Sequence, residues 1–144
     1  MNSILARTIL VALIVASQPF VYGQSNSKNQ LIMEIIKVTD VIPQAKTAVN
    51  SMLNSYSKKY PAIPASTWTD LKNHIDYDRY QKSIYVVYNR DLNEKELGEL
   101  LKQYQHSSTP AKVILSEKLK ADLYAAGNEF GRSIGALIKS KIGQ

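Results

Sequence analysis

From Leu31 to Leu137 the apolar residues return at every third or fourth position, the spacing of one face of an α-helix. One run, Ile84–Tyr88 (IYVVY), has the β-branched and aromatic make-up of a strand. No second segment could pair with it, so the reading stays helical. The expected fold class is all-α: a compact bundle of five or six helices with a long C-terminal helix. The chain has no cysteine, which excludes disulfides, thiolate metal sites and a cysteine nucleophile, and leaves packing alone to hold the bundle.

The helix boundaries follow from caps and prolines. Leu31, Ile32, Ile35, Ile36 and Thr39 mark a first helix. Pro43 suits the first turn of a second, where its missing N–H goes unused, and Ala45, Ala48, Val49, Met52, Leu53 and Tyr56 continue that helix. Residues 61–66 (PAIPAS) read as a loop. Thr67 with Asp70 is expected to cap a third helix whose buried stripe is Trp68, Leu71 and Ile75. Asp76 or Asp78 opens a fourth, which carries Tyr80, Ile84, Val87 and Tyr88. Asn93 with Glu96 forms a capping box for the fifth, and Leu92 ahead of the cap can staple onto Leu97. His106–Ser108 form a turn. Thr109–Pro110 are expected to open the last helix, with Leu115, Leu119, Leu123, Ala126, Phe130, Ile134 and Leu137 on its core face.

The first residues read as an address. Arg7 precedes a short apolar run, Ile9–Ala16, then Pro19, with Val21 and Gly23 as the small residues before a cleavage site. The run is well short of the ~20 apolar residues a membrane span needs. The expected division is a secretory signal peptide over 1–23, cleaved between Gly23 and Gln24, a flexible polar stretch over 24–29 (QSNSKN), and a single helical domain over 30–144. Cleavage removes 23 of the 144 residues and one charge, Arg7, leaving 17 basic and 12 acidic residues, a formal +5. Export makes envelope polyanions rather than nucleic acid the relevant partners of such a charge, but the charges are dispersed, as on a solvated surface.

No catalytic constellation emerges. His74, Asp76 and Asp78 fall short of a full metal-ligand set, and helix-cap chemistry accounts for them. Glu94 and Glu96 fit the first turn of a capped helix, and Glu99 adds no tuned partner. Neither His74 nor His106 has the sequence context of a nucleophilic triad. Tyrosine is over-used, nine against two Phe and one Trp. Rings at the core margin explain most of them, and a tyrosine-lined groove is the functional alternative. Gly127, Gly131 and Gly135 repeat at four along the last helix, each at a cost of about 1 kcal/mol relative to alanine. The expectation is a stripe that lets another helix of the fold, or a partner or second copy, come close. On that expectation Gly131→Ala would be destabilising.

Ile84-Tyr85, Tyr88, Leu92–Leu97 (LNEKEL), Gln103-Tyr104 and Ser107–Lys112 follow in the order of an Ile-Tyr segment, a Phe-Thr-x-x-Glu-Leu helix opening, an aromatic pair and a Ser-Pro-x-Gly-x-Lys turn. In this the chain resembles a bacterial family of exported proteins, domain of unknown function 2059, mainly over 84–112 and in extent over 70–138. Leu92, Asn93, Gln103 and Pro110 depart from the family pattern. The resemblance implies an exported bacterial protein, periplasmic or extracellular in a Gram-negative cell, and carries no chemistry. The expected function is a non-enzymatic envelope domain without a cofactor that binds a protein or small ligand, with a homodimer as one form of partner. The alternative is a membrane-surface factor using basic charge and the amphipathic last helix. A hydrolase is a third reading without support. A tyrosine-lined cavity would favour the ligand.

Overall fold

The computed structural model describes residues 20–108 and 113–142. The apolar run Ile9–Ala16 and the Thr109–Pro110 pair lie outside the described residues, and so do the start and most of the length of the expected signal peptide. Six helices follow one another, with no strand among the described residues: α1 (Phe20–Val38), α2 (Val41–Lys59), α3 (Ala65–Asn73), α4 (Tyr77–Asp91), α5 (Glu94–His106) and α6 (Glu117–Ile142). Ile84–Tyr88 is helical, buried at Ile84, Val87 and Tyr88. Burial against α1 and α6 outweighs the strand propensity of the run.

Two apolar cores are strung along α6. The first gathers Ile32, Ile35 and Ile36 of α1, Ile84, Val87 and Tyr88 of α4, Leu97 and Leu100 of α5, and Leu119 at the start of α6. The second gathers Val49 and Leu53 of α2, Trp68 and Leu71 of α3, Ile75, and Ile134 and Ile138 near the end of α6. α1 packs against α5 and α4, whereas α2 packs mainly on α3 and on the end of α1. The α1–α2 turn is tight, with Asp40 in the left-handed region at φ 51°, a conformation Asp tolerates better than most residues.

The caps explain where the helices of the first core begin. Asp76 accepts a hydrogen bond from the Arg79 amide at 2.8 Å and opens α4. Asn93 accepts from the Glu96 amide at 3.0 Å while its own amide donates to Glu96 Oε2 at 2.8 Å, the full reciprocal box. Leu92 packs, partly buried, against the core that holds Leu97.

Three boundaries correct the sequence reading. α1 begins by Phe20, so residues 24–29 are helical rather than a flexible terminus, and Gly23 and Gln24 fall inside the helix. Side chains of this stretch reach across to α4 and α5. Ser27 donates to Glu94 at 2.8 Å, Lys28 to the Asn89 carbonyl at 2.7 Å, and the Tyr85 hydroxyl to Asn29. These bonds hold polar residues that lack an apolar stripe. α3 begins at Ala65, capped by Pro64 with no side-chain bond, so Thr67 is not its cap; the proline fixes the turn three residues earlier. α6 begins at Glu117, where the Ser116 hydroxyl accepts from the Leu119 amide at 3.2 Å, so Leu115 lies ahead of the helix.

Candidate functional site

Where α2 crosses α4 and α6 the two cores do not meet. An apolar groove remains, in two chambers of about 210 and 270 Å³ that share Tyr80. α2 forms the roof. Val41, Gln44, Ala45, Ala48, Val49 and Met52 repeat at three and four along one face, about 16 Å from Val41 to Met52 at 1.5 Å per residue. α4 forms the floor of the first chamber through Tyr80, Ile84 and Tyr88, four residues apart, with Tyr104 of α5 at its end. α6 continues the floor through Leu123, Gly127, Phe130, Gly131 and Ile134.

Small residues keep the second chamber open. Ala45 and Ala48 face it from the roof, Gly127 and Gly131 from the floor. A Cβ at Gly127 would stand 3.7 Å from the Tyr80 hydroxyl, and one at Gly131 or Gly135 would meet nothing within 4 Å. The close intramolecular approach expected at the glycine stripe is therefore absent at Gly131 and Gly135. The missing side chains leave space where a neighbouring backbone was expected. Gly131 and Gly135 are both exposed, and Gly135 lies beyond the groove.

The aromatic side chains set the chemistry. The Tyr80 ring stacks on Phe130 with centroids 4.4 Å apart, and this fixes the phenol at the junction of the chambers. Tyr88 is buried beside Tyr104; burial first, then the Tyr104 neighbour, pushes its phenol far above the ordinary range. Burial also raises Tyr80 and Tyr104. All three stay neutral donors at any physiological pH. Among the described residues no charged side chain lines either chamber.

The other sequence candidates are structural where they stand. His74 ends α3, its Nδ1 2.7 Å from the Asp70 carbonyl, while Asp76 caps α4 and Asp78 occupies the exposed first turn. Among the described residues no three His, Cys, Asp or Glu side chains converge on one point. Glu94 and Glu96 serve Ser27 and the capping box, and Glu99 lies 4.0 Å from Lys95. His106 Nδ1 sits 2.7 Å from the Lys102 carbonyl.

Sequence reasoning missed a four-charge cluster joining the end of α4 to the start of α6. The Asp91 carboxylate, 4% exposed, accepts from Arg90 and Lys118 at 2.6 Å each. Asp122 accepts from the same two cations at 2.6 and 2.8 Å. Arg90 first, then Lys118, hold Asp91 well below the usual carboxylate range. The Lys118–Asp122 spacing of four was the available signal. Depressions on the other side of α4 are crossed by Arg79–Glu129 and Arg90–Asp122 ion pairs.

No protein-family model, curated protein or solved structure matches the chain.

Proposed function

We propose that this chain is an exported, non-enzymatic helical domain that holds a small elongated apolar ligand in the groove beneath α2. The carrying observation is the pair of chambers meeting at Tyr80, roofed by one face of α2. Their combined size falls in the range of small-molecule sites, which are mostly apolar with a few placed polar groups. Gly127 and Gly131 support the reading, because a helix-weakening residue that keeps a chamber open has a use there. Export rests on Arg7, the Ile9–Ala16 run and the small residues before Gln24, together with the resemblance to the exported bacterial family.

The membrane-surface alternative draws less support. Three cations of α6 are already paired: Lys118 with Asp91 and Asp122, Lys120 with Glu117, and Lys141 with Asp70. No described helix is long and apolar enough to cross a membrane.

Titration with the neutral fluorophore N-phenyl-1-naphthylamine tests the groove. The folded protein should give a saturable, one-to-one rise in emission. Ala48→Leu from the roof and Gly131→Leu from the floor should each weaken it at least tenfold with unchanged circular dichroism. Absence of saturable binding, or variants that bind like the parent, would overturn the proposal.

A further inference from the structure

We infer that the occupant of this groove is an uncharged amphiphile, a single apolar chain ending in a neutral hydrogen-bonding group such as a hydroxyl, ester or amide, with that end beside Tyr88 and Tyr104. The inference rests on the ligand-binding reading above and names the ligand's chemistry and direction.

Polarity along the groove is segregated. The first chamber holds Gln44, Thr39, Tyr88 and Tyr104, while Tyr80 lines both, its hydroxyl 3.7 Å from the Cβ position of Gly127. Beyond Tyr80 the second is lined by Ala, Val, Met, Gly, Phe and Ile alone. Several of the polar groups are already used within the fold. Thr39 donates to the Ile35 carbonyl at 2.9 Å, and the Gln44 amide nitrogen donates to the Thr39 carbonyl at 3.1 Å. Tyr88 and Tyr104 both line this chamber. Each phenol carries one O–H and acceptor lone pairs, so the chamber can satisfy one hydroxyl or carbonyl.

Charge decides the class of head group. A carboxylate or phosphate drawn into this chamber would leave water and meet no cation, since no Lys, Arg or His among the described residues lines it. Such burial is strongly unfavourable without a paired charge. A phenol can donate to an anion but cannot neutralise it. The neutral state of the phenols likewise gives an ammonium no counter-ion. An ammonium's one recourse is the faces of the tyrosine rings, and that is a distinct outcome of the test. The apolar chain then lies beyond Tyr80, over Gly131, where nothing stands within 4 Å of the absent side chain.

Calorimetric titration with three ligands of one chain length separates the possibilities: lauryl alcohol, laurate and lauryl trimethylammonium, each below its micelle threshold at pH 8. The alcohol should bind at least tenfold more tightly than laurate and more tightly than the ammonium. Tyr104→Phe should weaken the alcohol severalfold and leave laurate unchanged, and Gly131→Leu should abolish binding of the alcohol. Laurate or the ammonium binding as tightly as the alcohol would overturn the head-group inference while leaving the groove in place. No binding by any of the three, or binding indifferent to Gly131→Leu, would overturn the inference together with the proposed function.

Discussion

The core of α1, α4 and α5 and the core of α2 and α3 use the same residue types, yet they are closed differently. The first contains Ile32, Ile35 and Leu97, all fully buried, and two of its helices start at side-chain caps. The second contains one fully buried large residue, Leu71. Neither α2 nor α3 has a side-chain cap, and the Trp68 indole N–H is buried without a partner among the described residues. A buried unpaired donor costs on the order of 1–3 kcal/mol. The contrast shows a bundle with one consolidated half and one yielding half, and the groove lies along the yielding helix.

The largest expected effect breaks that comparison most directly. Leu97→Ala removes a fully buried side chain from a core that cannot relax, and should cost toward the upper end of the usual 2–5 kcal/mol. Leu53→Ala, beside the groove, should fall toward the lower end, because α2 can settle into the space. Urea denaturation reads both. Equal costs would mean that the halves are equally well packed.

Asn93→Ala comes next, at about 1 kcal/mol for loss of the cap oxygen and its reciprocal bond. An unchanged denaturation midpoint would remove the capping box from the account of the consolidated half. Gly131→Ala should act in the opposite sense. Nothing lies within 4 Å of the added methyl, so the protein should gain up to about 1 kcal/mol from helix propensity while the groove narrows and ligand binding weakens. A less stable variant would restore the close-packing expectation.

The smallest effect is confined to acid. Asp91 has its folded-state pKa depressed by Arg90 and Lys118, so its contribution is present above the unfolded value near 3.8 and is lost as pH falls toward the folded value. Asp70, lowered chiefly by Lys141, behaves alike at the α3–α6 contact. Asp91→Asn should flatten the loss of stability between pH 4 and pH 2 more than Asp70→Asn does. The opposite order would place the acid-sensitive contact in the α2–α3 half.

What could be read from the sequence was what local chemistry decides. Asn93–Glu96, Asp76 and the helical spacing of Ile84 and Tyr88 are signals within a single turn or two, and they set α4 and α5. The misplaced boundaries had their causes outside the local pattern. Ser27, Lys28 and Asn29 are held in α1 by α4 and α5, elements 56 or more residues away. Pro64 and Ser116 act as caps where Thr67 and Thr109 looked equally suited. The groove depends on Ala45 and Ala48 facing Gly127 and Gly131 across two helices. Spacing on either helix alone cannot say whether small residues admit a neighbour or leave a space. That depends on how far apart α1 and α3 hold the ends of α2.

Hydrogen exchange along α2 tests the central claim, that this helix roofs a space built to be filled. In the free protein, amides of residues 45–56 should exchange faster than those of 32–36 and 97–101. Adding N-phenyl-1-naphthylamine should slow them, together with those around Gly127 and Gly131, and leave α5 unchanged beyond Tyr104. Exchange in α2 as slow as in α5, or protection that spares α2 when the ligand binds, would contradict the account.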